Sequence, residues 1–217
     1  DEATVSHSSL TFTTGNWNSE QTVTVTGQSD SSQDGDQTIA VTAAINTGAT
    51  ADTQYDGVSP QNVSVTITDV DTASYTITQP ASSVSETGTT TTFTVVLDLL
   101  PTANVMIDLA SNDTGEATVS PSSLTFTTGD YNTAKTVTIT GVDDDVDDNN
   151  QNISVSVDPN NGIADSAYGA LATQLAYVTV ADDDDAGFSL GSTAGLSVSE
   201  SGTTDTFTVV LDTEPTA

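Results

Sequence analysis

Aspartate side chains are concentrated at two places in this chain instead of being spread along it. Residues 143–148 contain five aspartates directly after a strand-like segment, and residues 182–185 are an unbroken aspartate run after another. Glu86 closes a third strand-like segment. Carboxylates a few ångströms apart repel each other by roughly 1 kcal/mol per pair even in water. Such clusters are therefore costly unless the carboxylates share a cation.

Calcium is the cation that best matches crowded carboxylates, because it takes roughly six to eight oxygen ligands in flexible geometry. Magnesium fits less well because it requires a strict octahedron. The sequence contains no EF-hand loop and no glycine-rich nonapeptide array, so a site would be assembled between loops. Charge alone leaves a second interpretation equally open, in which the acidic runs are solvated loops that serve solubility.

The overall charge argues against several classes of function. The 217 residues include 31 Asp and Glu but a single basic residue, Lys135, which gives a net charge of −30. Such a surface repels phosphate backbones and anionic lipids, so we expect no nucleic-acid partner and no membrane insertion of this segment. Cysteine is absent and His7 is the only histidine, so thiolate chemistry, a catalytic triad and a zinc site lack their usual groups. We therefore expect no enzyme activity.

The chain repeats itself at an interval of 114 residues. The matching segments are 2–6 with 116–120, 9–15 with 123–129, 22–27 with 136–141, 83–86 with 197–200, and 93–98 with 207–212. The interval shortens to 113 where Tyr55 matches Tyr168. The repeat predicts three segments, which are the later part of a preceding repeat (1–71), a complete repeat (72–185) and the opening strands of a following repeat (186–217).

Within the repeat, apolar residues alternate with Thr and Ser along short segments. Val23 and Val25 alternate with threonines, and Phe93, Val95 and Leu97 follow the same pattern. A period of two is typical of strands with one buried and one exposed face, and Gly, Pro and Asn turn signals separate the segments. No segment shows apolar residues at a convincing helical spacing. The pattern predicts an all-β fold of tandem immunoglobulin-like antiparallel β-sandwiches with no significant helix.

Five segments of the complete repeat carry a specific combination of motifs. They are Val84-Ser85-Glu86, Phe93-Thr94-Val95, Leu124-Thr125-Phe126, Val142-Asp143-Asp144-Asp145-Val146, and the run from Val178 through four aspartates to Gly187. Together they resemble a Calx-beta domain, the calcium-binding immunoglobulin-like sandwich of sodium–calcium exchangers that also occurs in tandem in large bacterial surface proteins. The resemblance implies calcium (Ca2+) ligands at Glu86, Asp143, Asp144, Asp145, Asp148, Asp182, Asp183 and Asp184.

The sequence departs from the family's pattern in places that bear on calcium occupancy. Gln151 stands where the family has an acidic residue late in the first cluster. In the preceding repeat, the corresponding loop (28–36) and the end (69–71) contain fewer aspartates. We therefore expect weaker or fewer calcium sites in residues 1–71.

Taken together, these patterns predict a non-enzymatic, calcium-binding structural repeat of a long adhesin or fibre protein that is secreted or held at the cell surface. Calcium would rigidify the module ends and linkers, and the partners would be neighbouring repeats of the same polypeptide or like chains in a fibre. One alternative is a filament joined head to tail by strand complementation, because residues 186–217 carry opening strands that residues 1–71 lack. Another is a glycan- or ice-binding module, which Trp17 and the exposed Thr-x-Thr rows would serve.

Overall fold

The computed structural model describes residues 2–159, 164–192 and 194–216, and it divides into two compact units, Asp1–Ala73 and Ser74–Ala217. The predicted division into three repeat segments, with boundaries after residues 71 and 185, stays a prediction. Among the described residues, no helix combines the length and the apolar character needed to cross a membrane.

The first unit contains four short strands: β1 (Ala3–Val5), β2 (Val25–Gly27), β3 (Gln37–Ala43) and β4 (Gln61–Ile67). They form two separate antiparallel pairs, β1 with β2 and β3 with β4. A 3-10 turn (Thr53–Tyr55) lies in the connection between β3 and β4. Ala73 is the only apolar residue that is buried in the described part of this unit, so most of its apolar side chains remain accessible.

The second unit contains a sandwich of nine strands, followed by a separate hairpin. The sandwich strands are β5 (Tyr75–Ile77), β6 (Val84–Ser85), β7 (Thr90–Leu97), β8 (Val105–Ser111), β9 (Ala117–Ser120), β10 (Ser123–Phe126), β11 (Lys135–Gly141), β12 (Gln151–Pro159) and β13 (Gln174–Ala181). A helical turn, α1 (Ser166–Gly169), lies between β12 and β13. The hairpin consists of β14 (Phe188–Gly191) and β15 (Thr208–Leu211).

The nine strands form two sheets. One has four strands in the order β5-β7-β11-β9, and the other has five in the order β10-β8-β12-β13-β6. The described pairs are antiparallel except β6 with β13, which run parallel. The prediction of an all-β, sandwich-type fold without significant helix is confirmed, and the parallel pair is a feature that the period-two pattern does not predict.

The core lies between the two sheets and consists of the inward-facing residues of the strands. Phe93 and Val95 of β7, Val137 of β11 and Phe126 of β10 are each no more than 1% exposed. Buried and accessible positions alternate along β7, β11 and β12, as the sequence predicts. Removing these side chains from water is the main favourable term in folding, at about 25 cal/mol per Å2 of apolar surface.

Asp165 closes the end of the sandwich at which β12 passes into β13, away from the acidic loops. Its carboxylate accepts hydrogen bonds from the N–H groups of Ala167 and Tyr168 in α1, and from the N–H and hydroxyl of Thr102. The Tyr168 hydroxyl donates to the carbonyl of Leu99 (2.6 Å) and accepts from its N–H (3.1 Å). Burial of this hydroxyl raises the pKa of Tyr168 to about 12. These polar contacts anchor the described part of the connection around α1, residues 165–168.

Candidate metal centre

The parallel pairing of β6 and β13 brings two acidic residues to one edge of the sandwich. Val84 lies opposite Val180, so Glu86 and Asp182 leave neighbouring strands in the same direction. The N–H of Glu86 donates to the carbonyl of Ala181 (3.2 Å) and extends the pairing by one step. The site therefore begins where these two strands end.

Glu116 reaches the same place from the start of β9. This strand pairs with β11 so that Ala117 lies opposite Gly141, and the N–H of Val142 donates to the carbonyl of Glu116 (2.8 Å). Glu116 thus lies beside the beginning of the acidic loop, residues 142–150, which connects β11 to β12.

Two groups of three carboxylates share Glu86. In one group, oxygen atoms of Glu86, Asp144 and Asp184 lie within 4.8 Å of one another. In the other, oxygens of Glu86, Glu116 and Asp148 lie within the same distance. Glu86 is only 1% exposed. Both groups offer hard carboxylate oxygens alone, which is the donor set that calcium prefers.

Three buried carboxylate oxygens in the second group have no hydrogen-bond partner within the described part of the chain. They are Glu86 Oε2, Glu116 Oε2 and Asp148 Oδ1. A buried charge without a partner is strongly destabilising unless a proton or a cation neutralises it. These orphaned oxygens are the groups that a bound cation would satisfy, so the residues present fit a calcium ion.

The pKa values of the carboxyl groups reflect the same crowding. Burial, together with the negative charges of Asp182 and Glu116, raises the pKa of Glu86 to about 7. Burial and the nearby charge of Asp148 raise the pKa of Glu116. Burial and neighbouring aspartates also raise the pKa of Asp184. Each shift has the same physical meaning, which is that the site disfavours negative charge when no cation balances it.

Asp182 holds the acidic loop in shape through hydrogen bonds to its backbone. Its Oδ2 accepts from the N–H groups of Asp148 (3.1 Å) and Asn149 (2.6 Å), and its Oδ1 accepts from the N–H of Asp184 (2.9 Å). Asn149 has a φ of 67°, a left-handed conformation that asparagine adopts more readily than most residues. Asp182 therefore positions two members of the carboxylate groups.

The acidic loop also contacts the segment that follows the sandwich. Asp147 Oδ2 accepts a hydrogen bond from the N–H of Ala186 (2.9 Å), and the carbonyl of Asp145 accepts one from the N–H of Glu214 (2.6 Å). These two hydrogen bonds connect the acidic loop to residues beyond β13.

The structure brings some of the predicted ligands together and leaves others apart. The predicted ligands that fall within the two carboxylate groups are Glu86, Asp144, Asp148 and Asp184. Asp182 belongs to neither group and instead accepts hydrogen bonds from the backbone of the acidic loop and of Asp184. The role of these residues as ligands stays a prediction. The other three are exposed and belong to neither group among the described residues, so their role as ligands stays a prediction: Asp143, Asp145 and Asp183.

Glu116 is the site residue that sequence analysis missed, although the repeat carried a signal for it. Glu2 lies 114 residues earlier, at the same position of the preceding repeat. In the first unit, Glu2 forms a carboxylate group with Asp30 and Asp34, which are the repeat counterparts of two aspartates in the second unit's groups. The recurrence of a glutamate at the start of the same strand in both repeats is therefore the sequence signal that could have identified Glu116 as a site residue.

The first unit reproduces the loop geometry with fewer carboxylates. Asp69 accepts hydrogen bonds from the N–H groups of Gly35 (2.7 Å) and Asp71 (2.8 Å), as Asp182 does in the second unit. Hydrogen bonds from these two backbone groups, that of Asp71 first, lower the pKa of Asp69. No described residue of this unit takes the place of Glu86. The expectation of weaker or fewer sites there stays a prediction.

Comparisons with known proteins give one family and several solved structures. The family model of the Calx-beta domain matches residues 68–184. SSP-19, an MSP-domain protein like family member from Caenorhabditis elegans, is 15% identical with a TM-score of 0.31, over 46% of this chain and 92% of that chain. The E. coli chaperone DraB is 11% identical with a TM-score of 0.36, over 53% and 58%. A chain from the structure of Salmonella enterica SafA pilin in complex with the SafB chaperone is 12% identical with a TM-score of 0.35, over 52% of this chain and 55% of that chain. A comparison with curated proteins gives no match.

Proposed function

Because this chain belongs to the Calx-beta domain family, we propose that residues 72–185 form a non-enzymatic structural module whose stability depends on calcium. One observation carries this proposal, which is the burial of Glu86 beside Glu116 and Asp148 with one oxygen of each carboxylate unpaired. Buried, unpaired carboxylates destabilise a fold, whereas the same oxygens stabilise it when they bind a divalent cation.

The residues that would hold the ion come from four separate segments of the chain. The candidate ligands are Glu86, Glu116, Asp144, Asp148 and Asp184. A bound calcium ion would supply the positive charge that balances their mutual repulsion. Asp182 holds the acidic loop, which carries Asp144 and Asp148, and also accepts a hydrogen bond from the N–H of Asp184.

The contacts of the acidic loop extend this effect to the module boundary. Asp147 is bonded to Ala186, and Asp145 is bonded to Glu214. Calcium that fixes the loop would therefore restrict the segment that leads to the next repeat. We propose that the module is one of a series in a long extracellular adhesin or fibre protein, in which calcium stiffens the junctions. The repeat interval and the net charge of −30 support this setting, because millimolar calcium outside cells occupies even weak acidic sites.

Calcium should act on stability by binding the folded state and not the unfolded chain. At a free concentration about 100 times the Kd, the stabilisation is about 2.7 kcal/mol. For a domain of this size, that corresponds to a rise in Tm on the order of 10 °C.

Calorimetric melting of the whole chain in EDTA and in millimolar calcium tests the proposal. We expect calcium to raise the Tm of the wild type, and Glu116→Gln to reduce the rise. Glu20→Gln removes the same charge from an exposed residue of the first unit and should leave the rise unchanged. Equal Tm values in EDTA and calcium would overturn the proposal.

A further inference from the structure

The segments that follow β4 and β13 are each fastened to the acidic loop of their own repeat. In the first unit, residues 69–73 follow β4 and the loop is residues 28–36. In the second unit, residues 182–186 follow β13 and the loop is residues 142–150. Three hydrogen bonds between loop and segment recur in both units, and we call this set the exit clasp. The two clasps are therefore copies of one arrangement.

Two bonds of the exit clasp hold the first residue of the segment. Asp69 Oδ2 accepts from the N–H of Gly35 (2.7 Å), and the N–H of Asp69 donates to Asp36 Oδ1 (3.0 Å). The loop residue that donates has a positive φ in both units, 79° and 67°, so the same backbone shape presents the donor. The counterparts in the second unit are the N–H of Asn149 to Asp182 Oδ2 (2.6 Å) and the N–H of Asp182 to Asn150 Oδ1 (3.2 Å).

The third bond of the exit clasp differs between the units in the charge of its acceptor. The N–H of Ala73 donates to Gln33 Oε1 (2.6 Å), and the N–H of Ala186 donates to Asp147 Oδ2 (2.9 Å). The two acceptors occupy the same position of the repeat, and so do the two alanines. A neutral amide therefore holds the segment in the first unit, and a carboxylate holds it in the second.

Asp147 accepts its hydrogen bond in an acidic recess. Three further aspartates line the same recess, namely Asp182, Asp184 and Asp185. Neither of the two carboxylate groups described above includes Asp147, so its contact is with the backbone of the segment. Repulsions between carboxylates add up, and they weaken when a bound cation balances the charge. Without calcium, the neighbouring aspartates therefore oppose a carboxylate that is held at this place.

A charged acceptor also has an advantage over a neutral one, because its hydrogen bond is roughly twice as strong. That advantage belongs to a single bond, whereas the repulsion on Asp147 comes from three neighbouring aspartates at once. The repulsion therefore prevails without calcium, and the stronger bond prevails when calcium balances the recess. Gln33 carries no charge, so the strength of its bond to Ala73 does not depend on calcium in this way.

We propose that the side chain at this one repeat position decides whether the exit clasp needs calcium. Gln33 keeps residues 69–73 fastened with or without calcium, whereas Asp147 keeps residues 182–186 fully fastened only when calcium is bound. The inference rests on the proposed calcium function, because the bound ion is what removes the repulsion on Asp147. It adds that the choice between an amide and a carboxylate sets which exits of a repeat series respond to calcium.

Amide hydrogen exchange, followed by NMR on the whole isotope-labelled chain, tests the two clasps separately. The N–H of Ala186 should exchange more slowly in millimolar calcium than in EDTA, by about threefold or more. The N–H of Ala73 should exchange at the same rate in both buffers. Each amide is compared only with itself, because Ala73 is buried and Ala186 is exposed.

Two substitutions exchange the charge at this position without changing the length of the side chain. Asp147→Asn should slow the exchange of the Ala186 N–H in EDTA and remove most of its response to calcium. Gln33→Glu should speed the exchange of the Ala73 N–H in EDTA by about threefold, because the new charge faces an acidic loop. Glu20→Gln also changes one charge, at an exposed residue outside both clasps, and should leave both amides unchanged.

Melting of the same samples separates this inference from the function on which it rests. If calcium raises the Tm but slows the exchange of Ala73 and Ala186 equally, the inference is overturned and the calcium-dependent module stands. A calcium response of Ala186 that persists unchanged in Asp147→Asn has the same meaning. If calcium changes neither the Tm nor the exchange of either amide, both the inference and the proposed function are overturned.

Discussion

The backbone of Gly141 passes so close to the carbonyl oxygen of Ser85 that an added Cβ would stand 2.2 Å from it. Cβ atoms do not approach carbonyl oxygens at such distances, so this position requires glycine for space. The contact lets the end of β11 pass directly beside the end of β6. Glu86 follows Ser85 in the chain, so the same contact determines where the buried carboxylate lies.

Gly141→Ala should therefore destabilise the sandwich by roughly 2–4 kcal/mol, because backbone on both sides must move to admit the methyl group. Gly27→Ala is the matched control at the same repeat position. Its methyl group would lie 3.6 Å from Ile67 Cγ2, an ordinary contact, so we expect a change below about 1 kcal/mol. Urea denaturation of the two variants measures the difference, and equal effects would contradict the role of the Ser85 contact.

Nearly identical local sequence gives strands of different length in the two repeats. Residues 22–27 and 136–141 differ at one position, yet β2 spans Val25–Gly27 and β11 spans Lys135–Gly141. The period-two pattern predicts a strand in both places. Its length depends on the neighbours, because β11 is paired on both edges and β2 on one among the described residues. The sequence therefore predicts where strands form more reliably than how far they extend.

The candidate site shows the same division between local and non-local information. Runs of aspartate after a strand are visible in the sequence, and the structure places both runs in loops at one end of the sandwich. The sequence does not indicate which carboxylates turn inward, because that depends on the hydrogen bonds of Asp182 and on the left-handed conformation of Asn149. Glu116 is a single acid at the start of a strand, and only the register of β9 on β11 brings it to the acidic loop.

Glu86→Gln should change stability in opposite directions with and without calcium. In EDTA at pH 8, Glu86 is charged, because this pH lies above its pKa of about 7. Removing that buried charge should then raise the Tm by a few degrees. In calcium the variant loses a ligand, so its calcium-induced rise in Tm should be smaller than that of the wild type. Differential scanning fluorimetry in both buffers checks this. A Tm in EDTA that is lower for the variant than for the wild type would contradict the prediction that the charge of Glu86 is unbalanced without calcium.

Asp165→Ala should lower the free energy of unfolding by roughly 2–4 kcal/mol, because it leaves the buried donors of Thr102 and α1 without an acceptor. Asp52 is the repeat counterpart, but it is exposed and accepts a hydrogen bond from the N–H of Gln54 (3.0 Å). Asp52→Ala should cost about 1 kcal/mol or less. Chemical denaturation of both variants provides the comparison, and similar losses would contradict the importance of burial at Asp165.

Asp130 makes a pH-dependent contribution to the free energy of unfolding, and a single substitution can isolate it. Its Oδ2 lies 2.8 Å from Lys135 Nζ. The hydrogen bond from Lys135, followed by those from Thr127, lowers the pKa of Asp130 to about 2. A carboxyl group whose pKa is lowered by folding stabilises the fold at pH values above its unfolded pKa, about 3.9, and this contribution disappears as the pH falls through about 2.

Asp130→Asn should preserve the turn between Thr127 and Asp130 but abolish the pH-dependent contribution of this side chain to the stability of the fold. The preceding repeat has Asn16 at this position, and its Oδ1 accepts from the N–H of Thr13 as Asp130 does from that of Thr127. The stability difference between the wild type and the variant should be constant above pH 5 and should shrink between about pH 4 and pH 2. Thermal melts across this range measure it, and a difference that does not vary with pH would refute the role of the ion pair.

The position of the metal itself can be measured by anomalous X-ray scattering from crystals grown in millimolar calcium. We expect an anomalous peak among Glu86, Glu116 and Asp148, with carboxylate oxygens about 2.3–2.6 Å away. Ordered calcium there would account for the three buried oxygens that lack partners. A map without a peak at this position, in which the same side chains turn into solvent or bind one another through protons, would contradict calcium as the cause of their clustering.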